Sequence, residues 1–354
     1  MEKNFSIDRA YLKEILNNLR KYSSDEDALL DSYRLEKVIE RCNNNFSSNE
    51  NVDLMELLSD DLNSYKFYRT FYSLIEKFVI SGYSLEELDF CTKYTKATLS
   101  NDKTFSIVKS FFEEQGKFFH SGFSEFEEEA SDHLEFINPC ANTDGEMVYL
   151  KSTGDAFLFI PDNKDFTKIM ILTHEIEHAI DSFKNELFYE NTLIREVSAI
   201  FMEMIAGDYV AHKYGFIQDS YQRKLSLHYI IKEQASIVID KMDMLEIIFN
   251  NQNLNQDDLF KLLEEEGYSK ECIEFLAENT IMQDFYYLIP QLIAIELYFI
   301  YIEKDKQLAL NILEDIILNA SDYSIFDILN KYEIKLCKNV EKYEKMLLSK
   351  VKKQ

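Results

Sequence analysis

A chain of 354 residues carries a formal net charge of −26, from 38 basic and 64 acidic side chains. That sign argues against nucleic acid or an anionic membrane surface as partner, because phosphate groups attract the opposite charge. With only 8 Gly and 3 Pro, the composition favours long helices over a sheet-rich fold with many tight turns, and the length allows one large unit or two lobes.

From the N-terminus, Met1 to Asp8 shows no cationic lead into an apolar run and is not a signal peptide. Asp8 to Tyr22 carries Leu12, Ile15, Leu16 and Leu19, the stripe of an amphipathic helix. Asn43 to Asn49 is a polar loop. Phe67, Phe71, Leu74, Ile75 and Phe78 repeat the helical spacing, Gly82 stops that helix, and Ser84-Leu85-Glu86-Glu87 reads as a capping box for the next. A helix is expected from about Lys103 to His120. The acidic run Glu127-Glu128-Glu129 with Asp132 reads as one solvated helix face, and His120 and His133 read as ordinary side chains. Five cysteines (Cys42, Cys91, Cys140, Cys272 and Cys337) form no CxxC pair, so reduced thiols and a cytoplasmic location are expected.

After Pro139 the character changes. Met147 to Leu150 and Ala156 to Ile160 predict two short strands joined by Ser152-Thr153-Gly154-Asp155 as a hairpin. The edge of such a hairpin can pair with an extended peptide. His174-Glu175-Ile176-Glu177-His178 follows on a predicted helix with Asp165 as N-cap and Ile169, Leu172, Ile176 and Ile180 as packing residues. Residues four apart share a helix face. His174 and His178 can therefore offer two imidazoles to one metal ion, and Glu175 can reach a water beside it. With six His in the chain, a chance match is expected on the order of once in a hundred such sequences. Catalytic zinc needs a third protein ligand. Glu196, eighteen residues after His178, opens the next apolar segment after a short loop over Asn185 to Thr192, and Glu203 lies two turns further on. Asp181 and Glu203 are candidates to orient the ligand imidazoles.

Beyond Gly207 the pattern is helical to the end. Phe285 to Ile302 is almost long enough to span a bilayer, but Pro290, Gln291 and Glu296 make it a buried helix of a large bundle. Ser324-Ile325-Phe326-Asp327 opens a helix over Ile325 to Lys331.

Phe157 to Ile160, Leu172 to Ala179 and Glu196 to Glu203 together resemble the oligoendopeptidase F branch of the thimet oligopeptidase family of zinc metallopeptidases. Asp284-Phe285-Tyr286-Tyr287-Leu288-Ile289-Pro290 is also similar to the family's Tyr-rich segment, and the resemblance covers roughly Asn138 to Leu336. It implies one zinc ion per chain held by His174, His178 and Glu196, with Glu175 activating water and Tyr286 or Tyr287 donating to the oxyanion. It further implies a peptide substrate. The implied fold is mainly α, a large helical bundle with a small hairpin or sheet beside the HExxH helix and a cleft between two helical lobes. Residues 1–137 would form the N-terminal lobe. Residues 138–354 would form the catalytic region, with a hairpin at 146–160, the two ligand helices at 166–184 and 194–212, and closing helices over 216–350. Glu177 stands where the family has Gly, and no His follows His228, whereas the family has one shortly before its catalytic Tyr. A helical zinc-binding scaffold without turnover is the alternative.

Overall fold

A computed structural model of the chain describes residues 5, 7–21, 26–43, 58–80, 99–138, 145–185, 195–278, 281–319, 325–336 and 338–351. The expected features at Asn44 to Asn49, Gly82, Ser84 to Glu87, Ser324 and most of the 185–192 loop lie outside these residues. The described residues form fourteen helices and one three-stranded sheet. They fall into two compact units, each assembled from three stretches of sequence: residues 1–47, 91–224 and 297–334 in the first, residues 48–90, 225–296 and 335–354 in the second. The first unit therefore draws on residues from both sides of position 137.

In the first unit, α1 (Arg9–Lys21) and α2 (Glu26–Asn43) turn their apolar stripes to the sheet. Leu12, Leu19, Leu35 and Val38 pack with Val148, Leu150, Phe157 and Phe159 in one cluster. The expected single helix over Lys103 to His120 is two: α4 (Asn101–Glu113) and α5 (Lys117–His133). They part at Gly116, whose φ of 94° lies where a side chain would be strained and no helix can continue. Ser100 caps α4 by accepting from the Lys103 N–H at 3.2 Å.

The sheet has the order β1-β3-β2. The strands β2 (Glu146–Leu150) and β3 (Asp155–Pro161) form the expected hairpin, with Gly154 at φ 80° in its turn. The strand β1 (Leu134–Ile137), unforeseen in the sequence, follows α5 directly and pairs in parallel with β3, Leu134 opposite Leu158 and Ile137 opposite Pro161. Alternation along β3 sends Phe157 and Phe159 to the α1/α2 face and Ala156, Leu158 and Ile160 to the other, where α6 (Thr167–Lys184) lies against β2 and β3. With both faces covered, Ala156 to Ile160 are all 0% exposed, which explains the continuous apolar run.

α6 packs in turn on α7 (Arg195–Tyr214). The unit also holds the first residues of α8 (Ile217–Asn250), the end of α11 (Ile281–Glu303), α12 (Lys306–Leu318) and α13 (Ile325–Lys331). Asp305 caps α12 through the N–H groups of Gln307 and Leu308.

The second unit contains α3 (Ser59–Ile80), most of α8, α9 (Gln256–Glu265), α10 (Lys270–Glu278), the first part of α11 and α14 (Val340–Val351). Tyr68, Phe71, Ile75 and Phe78 of α3 are buried, whereas Phe67 is not. Its interior also holds charge. Glu344 meets His228 and Lys232, each at 2.9 Å, and Lys241 meets Asp61 at 2.6 Å. Leu288, Ile289, Leu292 and Ile293 of α11 are fully buried around Pro290. Among the described residues no helix is long and apolar enough to cross a membrane.

Candidate metal centre

The first turn of α6 is fixed from both sides. The N-cap position is Phe166, one residue after the expected Asp165, and Asp165 accepts from the Thr167 N–H at 2.9 Å from one residue further out. Lys168, 1% exposed, donates to the Leu99 carbonyl at 3.0 Å and to Asn101 Oδ1 and Asp162 Oδ1, both at 2.9 Å. Ile169, Leu172, Ile176 and Ile180 are all 0% exposed, so the helix cannot rotate without emptying the core.

That orientation puts His174 and His178 on one side of α6, with ring centroids 4.8 Å apart. Across from them, Glu196 enters from the first turn of α7. Its Oε2 lies 3.3 Å from His174 Nε2 and 3.5 Å from His178 Nε2. Donor atoms about 2.0–2.2 Å from a tetrahedral zinc stand about 3.3–3.5 Å from one another, so this spacing suits a shared ion. One nitrogen from each imidazole and a carboxylate oxygen also form a donor set of the kind zinc takes. Glu196 Oε2 is buried without a hydrogen-bond partner, a position that a cation would satisfy. The side chains of His174 and His178 retain 17% and 11% exposure, which leaves access from solvent.

Glu203, two turns along α7 from Glu196, supports this trio. Its Oε2 faces His174 Nδ1 at 3.5 Å, while its Oε1 accepts from Arg223 Nε at 2.7 Å. A carboxylate on the far nitrogen of a ligand imidazole fixes its tautomer and ring angle. Asp181 turns elsewhere and accepts from the Ser198 hydroxyl.

The local electrostatics follow from burial and these pairings. Burial alone would lower the His174 pKa, but the facing carboxylates of Glu196 and Glu203 hold it well above the ordinary histidine value. Burial pushes His178 down, towards the neutral imidazole that can ligate. Glu196 is held well below the usual carboxylate range, because the two imidazoles outweigh its burial. Glu203 is likewise buried, yet the Arg223 guanidinium and His174 hold it down at about 2. Burial pushes Glu175 up to about 7. Glu177 is fully buried, with neither carboxylate oxygen hydrogen-bonded, and burial together with Asp181 pushes it well above its ordinary value.

Glu175 lies one step round α6 from His174 and is 7% exposed. Gly145, just before β2, comes so close that a Cβ there would stand 2.9 Å from Glu175 Oε1. Tyr286 and Tyr287 lie on α11, in the part belonging to the second unit. The Tyr286 side chain is outside the described set, and Tyr287 is 43% exposed. His212 bonds the Asp208 carbonyl of its own helix, and His228 belongs to the buried Glu344 set. The sequence missed Arg223 and Gly145. Arg223 sits twenty residues from its partner, and a bare glycine before a strand reads as turn chemistry.

No family model and no curated protein sequence matches the chain. Solved structures do. A candidate oligoendopeptidase F from Bacillus anthracis str. Ames is similar over 97% of this chain and 65% of its own length, with a TM-score of 0.53 and 12% identity. PZ peptidase A with inhibitor 2 is similar over 98% and 67%, at TM-score 0.54 and 11% identity. A second candidate oligoendopeptidase F matches over 97% and 66%, at TM-score 0.52 and 10% identity. The chain thus spans about two thirds of the length of these neighbours. Its fold is that of the helical oligoendopeptidase F-like peptidases, in a divergent form.

Proposed function

We propose that this chain, which carries the oligoendopeptidase F fold, is a zinc-dependent metallopeptidase that hydrolyses peptide bonds in oligopeptides or in one dedicated peptide. The observation that carries the reading is the meeting of His174 Nε2, His178 Nε2 and an unsatisfied Glu196 Oε2, all on scaffold helices. His174, His178 and Glu196 would hold the ion. When bound, zinc supplies Lewis acidity, which makes water more acidic and polarises the scissile carbonyl.

The chain's own residues do the rest. Glu175 takes the proton from the attacking water and returns it to the leaving amine nitrogen. Glu203 accepts from His174 Nδ1–H, which leaves the Nε2 lone pair for the metal. Among the described residues β2 pairs only with β3, so its outer edge offers backbone groups to an extended peptide. On the resemblance alone, the hydrogen bond to the oxyanion is assigned to Tyr286 or Tyr287.

The test is a mixed peptide library incubated with zinc-replete protein, with and without chelator. Cleavage should stop on chelation and return with zinc. Glu175→Gln should keep its zinc while losing about 10²–10⁴-fold in rate. A zinc-replete protein that leaves every peptide intact would refute the reading and favour a zinc-binding scaffold.

A further inference from the structure

Glu129 and His133 stand one turn apart at the end of α5, and α5 runs without a loop into β1. The parallel pairing of Leu134 with Leu158 then sets His133 beside the start of β3. Its ring packs on Phe157 at 4.3 Å between centroids. Phe157 and Asp155 are two apart on one strand and so share a face. The topology therefore brings a carboxylate from β3 to the histidine and carboxylate of α5.

The side chains meet. A donor atom from each of Glu129, His133 and Asp155 lies within 4.8 Å of the other two, and His133 Nδ1 is 3.4 Å from Glu129 Oε2. His133 is 4% exposed, between Phe157 and, at 6.3 Å, the stacked ring of Tyr11. Burial first, and then the charges of Asp155, Glu129, Asp132 and Glu14, raise the Tyr11 pKa.

We infer that Glu129, His133 and Asp155 form a second divalent-cation site, separate from the His174 centre. One imidazole and two carboxylates suit a borderline ion such as zinc or manganese, with water completing the shell. Glu129, with a side chain 55% exposed, leaves a route in. Held there, the ion fastens the last turn of α5 to the first residue of β3. The sequence reading took His133 for an ordinary side chain and Glu129 for part of a solvated face, and Asp155 lies twenty-two residues beyond His133.

The experiment removes the first centre to read the second. Full-length His174→Ala/His178→Ala protein is titrated calorimetrically with zinc alone. One equivalent should bind, and zinc should raise the melting temperature by mass action. Adding Glu129→Gln and Asp155→Asn should weaken binding by more than about a hundredfold, since losing even an outer-shell partner costs about 10–100-fold. Should the double histidine variant fail to fold by circular dichroism, zinc content after equilibrium dialysis replaces it. Wild type should then carry two equivalents and Glu129→Gln/Asp155→Asn one. Equal zinc binding with and without the two carboxylates would overturn the proposal. That failure would leave the peptidase reading untouched, because neither Glu129 nor Asp155 belongs to the His174, His178 and Glu196 group.

Discussion

Replacing Gly145 by alanine would build a methyl group 2.4 Å from Ile171 Cγ2 and 2.9 Å from Glu175 Oε1. Ordinary contact begins at 3.4 Å, so the shortfall is about 1 Å against a core side chain and about 0.5 Å against the proposed general base. Both must give way: Ile171, 7% exposed, through the packing of α6, and the Glu175 carboxylate at the end of its flexible chain. Overpacking of this kind costs about 1–3 kcal/mol of stability. Displacing a reacting group by up to 1 Å can cost about 10²-fold in rate. Both contacts fall on α6 but on neither imidazole, so zinc content is measured beside the rate to separate lost metal from a displaced Glu175. The assay is kcat on a cleaved peptide at measured full zinc occupancy, alongside a thermal melt. A Gly145→Ala enzyme with wild-type kcat and melting temperature would show that Glu175 has room to spare, and the positioning argument would fail.

Glu203→Gln should keep the fold but weaken zinc binding about 10–100-fold, as expected for a lost carboxylate partner behind a ligand histidine; competition with a chelator measures it, and an unchanged affinity would remove Glu203 from that role. In the second unit, Glu344→Ala takes the shared carboxylate from His228 and Lys232 and should cost about 3–5 kcal/mol in chemical denaturation. Replacing Lys232 and Glu344 together by apolar residues should cost less than Glu344→Ala alone, because no buried charge is then left behind. The opposite order would contradict the account of that network.

What the sequence disclosed was local. The i,i+4 imidazoles, the Glu opening the next helix and the hairpin residues all follow from spacing along one element. What it hid depended on distant partners. Leu134 to Ile137 has no alternation and follows a helix directly; only its pairing with β3, some twenty-four residues on, makes it a strand. The break at Gly116 was signalled by the glycine itself but masked by the helical pattern on both sides. Arg223 gained its place from the packing of α8 near α7 in the first unit, which no periodicity within either helix records. The close approach of Gly145 to Glu175 is likewise a fact of packing, visible only once the strand and the helix are set side by side.

Lys168 has a wider bearing than its own three hydrogen bonds. Six and ten residues further along the same helix stand His174 and His178. Sliding a helix by one residue turns each of its side chains through about 100°, enough to swing both imidazoles away from Glu196. A cation sealed from solvent, tethered to Leu99, Asn101 and Asp162, thereby works as an indexing pin. It sets the angular zero of the helix, and the distant end keeps its aim only while that pin stays seated.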